Sequence, residues 1–175
     1  LRNFLQHNAR LDGCYAAEPS EKSIAFVREL TAMVNNRKRC RDICVYKRDL
    51  IWRRPSDPVK PAMEQMQLLG HSSIPILQDG RVVGIFDERS FFQYVSRCGG
   101  DIFPQDRELI FRDLAFCTSL SAKHMQVYAF ASMNAYADEV IDLFEQKLED
   151  GKRVRLVLLT ASGRPDDRLR GILTP

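Results

Sequence analysis

The chain has 175 residues, of which 45% are hydrophobic and 28% are charged, and its formal net charge is +3 at pH 7. These values argue against a disordered or fibrous protein, and the length allows one large core or two small ones. The densest apolar run, residues 154–161, is too short to span a membrane and contains Arg155, so it predicts a buried strand. The first ten residues lack the apolar core of a secretory signal, so we expect a cytoplasmic protein.

The cysteines are odd in number and scattered, which predicts free thiols rather than a disulfide framework. Cys40 and Cys44 could share one face of a helix, but no CxxC motif accompanies them and the three histidines are distant in sequence. A four-ligand zinc site is therefore not expected.

An amphipathic helix is predicted near the start of the chain. Ser20 can cap it, and apolar residues recur at helical spacing up to Asn35, at Ile24, Val27, Leu30 and Val34. We expect this stripe to pack against the rest of the chain or against a dimer partner. A basic stretch follows, residues 37–54, with eight basic and two acidic residues. Residues 1–43 are interpreted as a helical extension and basic linker.

Residues 50–98 predict a β-α-β-β-α unit. A short strand at 50–52 is followed by a helix that Asp57 can cap, that has Pro58 in its first turn and that ends at Gly70. Strands at 74–77 and 82–86 are joined by Asp79-Gly80, a pair that favours a tight hairpin turn. A helix at 88–98 closes the unit.

The same pattern returns about 80 residues later. After a break at Gly99-Gly100, a linking helix is predicted at 106–116 and a strand at 127–131. A helix then ends at Gly151, and strands follow at 154–160 and 169–173. The repetition predicts that residues 50–98 superpose on 127–175 through a pseudo-twofold axis.

Two stretches of sequence carry a family resemblance. Ile74-Pro75-Ile76 and Gly84-Ile85-Phe86 form an apolar-Pro-apolar strand and a Gly-apolar strand in the first copy. In the second copy, within residues 154–175, Leu156 takes the place of Pro75. The pattern resembles the CBS domain family, named for cystathionine β-synthase. The resemblance implies an α/β (α+β) fold of two tandem β-α-β-β-α units, each a small mixed sheet with helices on one face.

The resemblance also implies domain bounds and a function. The first CBS unit would span residues 44–100, and a linker helix and second unit, without its closing helix, would span 101–175. Such pairs, called Bateman modules, commonly bind adenosine-containing ligands such as AMP, ADP or ATP in two clefts. This implies a regulatory, signal-transducing module with an adenine nucleotide as ligand, no required cofactor, a homodimeric state and an effector protein as partner.

The family's ligand-contacting positions transfer to three residues. The family has Ser or Thr at the start of the last helix and Asp three residues later. Here Asp87 stands at the first position and Ser90 at the second, which places negative charge where phosphate would lie. In the second copy Thr174 matches the hydroxyl position. Thr174 could contact a ligand or cap a following helix, and the two roles are compatible.

Other residues are candidates for the remaining parts of a nucleotide. Ile74, Pro75 and Leu156 could enclose an adenine ring, although core packing is the alternative for such residues. Basic side chains near the first strands of both copies could bind phosphate or could simply be solvated, namely Arg53, Arg54 and Lys123.

Two other classes of function were considered. No nucleophile with a base, paired acids or phosphate loop has useful spacing, so we expect no enzymatic activity. The alternative is a nucleic-acid or protein-docking module that uses residues 37–54, with Tyr46 and Trp52 available for stacking on bases. The low overall charge makes nucleic acid the less favoured partner, and no membrane partner is expected.

Overall fold

The computed structural model describes residues 20–99, 107–120, 127–145 and 153–175. Within these ranges, residues 20–37 and the residues from Lys38 onward belong to two separate compact units. Helix α1, Glu21–Asn35, belongs to the first unit and begins as predicted, because the Ser20 hydroxyl accepts a hydrogen bond from the backbone N of Ser23 (3.2 Å). None of the residues of α1 is buried. The expected packing of its apolar stripe stays a prediction, and the extension before Ser20 lies outside the described residues.

Residues 38–175, here called the repeat body, contain the two copies of the predicted pattern. The helices are α2 Cys40–Ile43, α3 Val59–Leu69, α4 Glu88–Cys98, α5 Ala115–Thr118 and α6 Ala137–Glu145. The strands are β1 Val45–Tyr46, β2 Ser73–Gln78, β3 Arg81–Asp87, β4 Tyr128–Ser132, β5 Leu156–Thr160 and β6 Gly171–Leu173. Short 3-10 helices lie at Lys47–Asp49 and Phe111–Leu114. Within the described ranges, no helix has the length and apolar character that crossing a membrane requires.

The local signals of the first copy are confirmed where turn chemistry determines the backbone. Helix α3 ends at Gly70 in the left-handed conformation (φ 67°). The β2–β3 hairpin turns at Asp79 (φ 52°) and Gly80 (φ 82°), which are the positive φ angles that a tight two-residue hairpin requires. Helix α4 runs from Glu88 to Cys98, as predicted.

Three local predictions are wrong. Pro58 is the N-cap of α3, while the Asp57 carboxylate accepts a hydrogen bond from the backbone N of Arg54 (2.7 Å). Residues 50–52 are not a strand. This segment pairs with β2 only at Arg53, which forms a parallel bridge with Ile76, and Pro55 lacks the backbone N–H that would continue the pairing beyond it. Residues 107–110 are not helical, because Ile110 forms an antiparallel bridge with Pro58.

The two copies exchange the segments that precede them. The segment before the first copy bonds to the second copy, through Cys40 N to Ala135 O and Ala137 N to Lys38 O, both 2.9 Å. The segment before the second copy bonds to the first in the same way, through Phe111 N to Asp57 O (3.1 Å) and Val59 N to Leu109 O (2.9 Å). These matched bonds confirm the predicted pseudo-twofold relation.

The strands form two separate sheets, as the fold prediction requires. One has the order β1-β6-β5-β4, in which only β4 and β5 are parallel, and the other is the β2–β3 hairpin. The exchange extends to β1, which joins the sheet of the second copy. Glycine permits this close approach, because a Cβ on Gly171 would lie 2.7 Å from the carbonyl oxygen of Val45. A Cβ on Gly84 would likewise lie 2.7 Å from the backbone carbonyl oxygen of Thr118.

The hydrophobic core has three parts, and the central one joins the copies. Buried residues of both sheets meet there, namely Leu77, Val82 and Ile85 with Leu156, Leu158 and Leu169. Trp52 and Phe130 pack against this cluster from corresponding positions. Two outer clusters lie between each sheet and its helices, around Phe86 in the first copy and Val140 in the second. The copies therefore pack sheet against sheet, with helices on the outer faces.

Candidate functional site

The strand registers show which positions of the two copies correspond. Gly84 pairs with Ile76 and Gly171 pairs with Leu159, so Asp87 and Thr174 occupy equivalent places, as expected. The residue equivalent to Pro75 is Leu158, because Pro75 pairs with Ile85 as Leu158 pairs with Ile172. The assignment of Leu156 to the Pro75 position is therefore wrong by two residues. Because side chains alternate between the two faces of a strand, Leu156 and Leu158 still point to the same face.

The first depression at the seam between the copies is here called the Asp87 cleft. It has a volume of about 440 Å³. It is lined by Ser72, Ser73, Asp87, Tyr128, Phe144, residues 153–156, Thr174 and Pro175. Its basic groups, Arg153 and Arg155, precede β5 and face the end of the first copy's hairpin. Both arginines are exposed.

The Asp87 carboxylate is already fully engaged in this cleft. Its Oδ1 accepts hydrogen bonds from the backbone N and the hydroxyl of Ser90, both 2.8 Å, which caps α4. Its Oδ2 accepts a hydrogen bond of 2.8 Å from the Tyr128 hydroxyl, across the seam between the copies. Asp87 and Ser90 are both buried. These two residues therefore hold the fold together at the position where the family resemblance expected a ligand.

Burial and the neighbouring Asp87 carboxylate raise the pKa of Tyr128 above the usual range for a phenol. The hydroxyl consequently remains a donor throughout the neutral range. The pair Asp87–Tyr128 has no counterpart on the other side of the pseudo-twofold axis, where Thr174 stands for Asp87 and Leu50 for Tyr128. The two clefts are therefore chemically different.

The second depression is here called the Thr174 cleft. It has a volume of about 340 Å³. It is lined by Val45, residues 49–51, residues 70–73, Pro75, Ile172 and Thr174. Its wall is mainly apolar, with Pro75 of β2 and Ile51 of the segment before α3, while Ser72, Ser73 and His71 add polar groups to the lining. This combination of apolar walls and a few polar groups is typical of small-molecule sites.

Thr174 lines both clefts, and its side chain is uncommitted in the described part of the chain. It is exposed, and its hydroxyl makes no hydrogen bond to another described residue. A threonine hydroxyl can donate one hydrogen bond and accept two, which suits a ribose or a phosphate. Because Ser72 and Ser73 also border both clefts, the two depressions are continuous along that rim.

The other predicted site residues do not come together in one site. Ile74 is fully buried in the core of the first copy, while Pro75 borders the Thr174 cleft and Leu156 borders the Asp87 cleft. The Arg53 guanidinium bonds to the Gln65 side chain and the Trp52 carbonyl. Arg54 lies in a pocket at the hairpin turn, away from both clefts. Lys123 lies outside the described residues.

Sequence reasoning missed Tyr128, Arg153 and Arg155. The arginines immediately precede a buried strand that starts at the cleft. Their position before that strand could have indicated from the sequence that they border the cleft. Nothing in the sequence pairs Tyr128 with Asp87, since the two are 41 residues apart and the contact depends on the packing of the two sheets.

Comparison with known proteins supports the resemblance. Residues 40–97 match the family model described as CBS domain. The chain therefore contains a CBS domain, and its paired repeats have the architecture of a tandem CBS-domain protein, or Bateman module. No curated protein matches the chain.

Several solved structures share this fold at low sequence identity. A structure of CBSX2 in complex with AMP is 18% identical, covers 78% of this chain and 90% of its own, and has a TM-score of 0.52. CbpB in complex with c-di-AMP is 12% identical, covers 86% and 87%, and has a TM-score of 0.53. A protein from Methanocaldococcus jannaschii is 15% identical, covers 99% and 59%, and has a TM-score of 0.56.

Proposed function

We propose that this protein is a regulatory module that binds an adenosine-containing ligand and relays its presence to a partner protein. The supporting observation is the Thr174 cleft, which combines apolar walls with an uncommitted hydroxyl at the family's ligand position. Proteins of the same fold have been crystallised with AMP and with c-di-AMP.

The Thr174 cleft suits the nucleoside better than the Asp87 cleft does. A flat adenine ring can lie between the apolar groups of Ile51 and Pro75, where it loses contact with water without leaving a charge buried. The ribose would then lie at the rim beside Thr174 and Ser73. In the Asp87 cleft a ribose would have to displace the Tyr128 hydroxyl from the carboxylate.

Arg153 and Arg155 are the best-placed groups for phosphate. Both border the Asp87 cleft, which is continuous with the Thr174 cleft through Thr174 itself. Guanidinium groups form paired hydrogen bonds to phosphate oxygens. In this proposal Arg153 and Arg155 bind the phosphate, in place of Arg53 and Arg54, which were the candidates from the sequence.

Thermal unfolding in the presence of AMP, ADP, ATP or c-di-AMP tests the proposal. A ligand at 100 times its dissociation constant stabilises the folded chain by about 2.7 kcal/mol. Thr174→Val keeps the shape of the side chain and removes the hydroxyl, so we expect about tenfold weaker binding by calorimetry. Thr31→Val, the same change on α1, is the matched control and should leave affinity unchanged.

Two results would contradict the proposal. If none of these nucleotides shifts the unfolding temperature at millimolar concentration, the ligand class is wrong. If Thr174→Val binds normally while Asp87→Ala abolishes binding, the ligand lies in the other cleft.

We further propose that the module acts without catalysis. Asp87 and Tyr128 are the cleft's closest acid pair, and each is engaged by the other, with the pKa of Tyr128 shifted away from neutrality. The raised pKa of Tyr128 makes its hydroxyl unsuited to proton exchange near pH 7. Incubation with ATP followed by product analysis should show no turnover. The cytoplasmic location stays a prediction.

A homodimer formed through the outer helices is also proposed. A groove of about 580 Å³ lies between α3 and α4, and it is lined by Phe92 of α4, which is 68% exposed. Leu68 of α3 is also exposed (83%). On the outer helix of the second copy, Ile141 is likewise exposed (52%). Apolar groups on corresponding helices of both copies suit a symmetric interface between two molecules of this chain.

Sedimentation analysis of Phe92→Glu tests the dimer. The added charge in an apolar interface should shift the chain to the monomer, whereas Gln93→Glu places the same charge on the neighbouring exposed position and should not. Equal behaviour of both variants would contradict this interface.

A further inference from the structure

We propose that a second site, separate from both clefts, binds a small anion that carries two or more phosphate groups. It is the pocket at the turn of the β2–β3 hairpin, here called the hairpin pocket, with a volume of about 440 Å³. It is lined by Lys47, Trp52, residues 54–56, residues 77–80 and Arg112.

The hairpin pocket lies away from the nucleoside clefts. Ser73, at the start of β2, borders the clefts, whereas Gln78, at its end, borders this pocket. The two residues are five positions apart along the strand, a length of about 17 Å. A ligand in one place therefore does not occupy the other.

Three cations converge on the pocket from separate segments. Lys47 comes from the 3-10 helix after β1, Arg54 from the segment before α3, and Arg112 from the 3-10 helix before α5. Within the described ranges none of these three forms an ion pair with a carboxylate. The Lys47 ammonium instead lies 5.3 Å from the centre of the Trp52 ring.

The pseudo-twofold axis supplies an internal comparison for Arg112. Its backbone N donates to the Pro55 carbonyl, just as that of Arg41 donates to the Met133 carbonyl in the other copy. The Arg41 guanidinium is satisfied there, by Asn134 Oδ1 (3.1 Å) and by Asp42 (3.7 Å).

At Arg112 the amide partner is missing and the carboxylate partner is bonded to another arginine. The position of Asn134 is occupied by Ser56, whose side chain is shorter. The carboxylate equivalent to Asp42 belongs to Asp113, and Arg107 holds it through two hydrogen bonds of 2.7 and 2.9 Å. The Arg112 guanidinium therefore makes no hydrogen bond or ion pair within the described ranges, so its donors are available to an anion, and the shorter serine leaves space for one.

The acidic groups near the pocket are too few to neutralise it. Asp79 is the single carboxylate among the lining residues, so the lining side chains carry a net charge of about +2. The Asp57 carboxylate is nearby in sequence but is bonded to the Arg54 backbone N. Ser56 and Gln78 add neutral groups that can donate hydrogen bonds to an anion.

The arrangement favours a compact polyanion over a nucleic acid. Three cations around a concavity match several phosphate groups held close together, and charge-assisted bonds are the strong ones. A nucleic acid would need a continuous track of free cations. The neighbouring cations of the basic stretch do not supply one, because Arg48 pairs with Asp49 and Arg41 pairs with Asp42.

Calorimetric titration of the full chain with inorganic tripolyphosphate at about 0.15 M salt, where the Debye length is about 8 Å, tests this site. We expect binding that Arg54→Gln and Arg112→Gln each weaken by about tenfold, the loss of one charge-assisted contact. The matched control is Arg48→Gln, which removes the same charge from the same basic stretch outside the pocket. Its affinity should change by less than about twofold, because exposed and screened charges contribute little at a distance.

Four outcomes would overturn the proposal. The first is the absence of tripolyphosphate binding at millimolar concentration. The second is an equal loss in Arg48→Gln, which would indicate diffuse charge attraction. The third is a tenfold loss in Arg155→Gln with none in Arg54→Gln, which would place the anion in the clefts. The fourth is tighter binding of a 20-nucleotide single-stranded RNA than of tripolyphosphate, with Arg48→Gln and Arg54→Gln weakening it equally, which would indicate a nucleic-acid surface.

Discussion

The hydrogen bond between Tyr128 and Asp87 should contribute measurably to the stability of the repeat body. Tyr128→Phe removes only the hydroxyl and leaves the ring packed in the central cluster, so no cavity forms. The bond joins a hydroxyl to a buried carboxylate, and bonds to charged groups contribute about 1.5 to 3 kcal/mol. We expect Tyr128→Phe to lower the free energy of unfolding by about this amount, measured by urea denaturation at pH 7.

Two comparisons make this prediction specific. Tyr46→Phe removes a hydroxyl that also donates a bond of 2.7 Å, but to an exposed carbonyl, and should cost less than about 1 kcal/mol. In a double-mutant cycle, Asp87→Thr retains a residue able to cap α4 but cannot reach Tyr128 as the carboxylate does. The cycle should give a coupling energy above about 1 kcal/mol. If the coupling is near zero, or Tyr128→Phe costs no more than Tyr46→Phe, the reasoning is refuted.

The pKa of Tyr128 adds a dependence on pH with a definite sign. Because the folded state holds this pKa above its usual range, the neutral phenol stabilises the fold fully below about pH 10, the ordinary value for tyrosine. The contribution is lost as the pH rises further, since the unfolded chain releases the proton first. Tyr128→Phe should therefore flatten the fall in stability above pH 10.

Two further predictions concern the packing of the repeat body. Gly84→Ala should cost more than about 2 kcal/mol, because its Cβ would lie 2.7 Å from the Thr118 backbone oxygen. Gly70→Ala should cost about 1 kcal/mol in the same denaturation assay, because Gly70 has a φ of 67° but no atom near the position of a Cβ. A larger loss of stability in Gly70→Ala than in Gly84→Ala would contradict the close packing of the exchanged segment against Gly84. Burial raises the pKa of the Cys117 thiol to about 11, so stability should fall as the pH rises from about 9 to 11. Cys117→Ala should remove that part of the fall, and an unchanged alkaline profile would show that the thiol is not responsible.

The local elements were predictable wherever their causes are local. The Asp79-Gly80 turn, the end of α3 at Gly70 and the N-cap at Ser20 depend on residues adjacent in sequence, and all three are confirmed. The repeat itself was also readable, since both copies bury apolar residues at the same spacing. Asp57 and residues 107–110 were misassigned because the backbone groups of the two segments bond to each other, through Phe111 N to Asp57 O and Val59 N to Leu109 O, instead of continuing a local pattern.

The candidate site divides in the same way. From the sequence alone, the repeat and the turn chemistry determined two copies of one unit, and the matching of Thr174 with Asp87 was implied by the family resemblance. Only the tertiary structure decided that Asp87 bonds to Tyr128, that Thr174 makes no hydrogen bond to another described residue, and that Arg112 lacks the hydrogen bond and ion pair that Arg41 makes. The physical reason is distance along the chain: these contacts join residues about 40 to 95 positions apart. They form when the exchanged segments and the two sheets pack together, which no local pattern encodes.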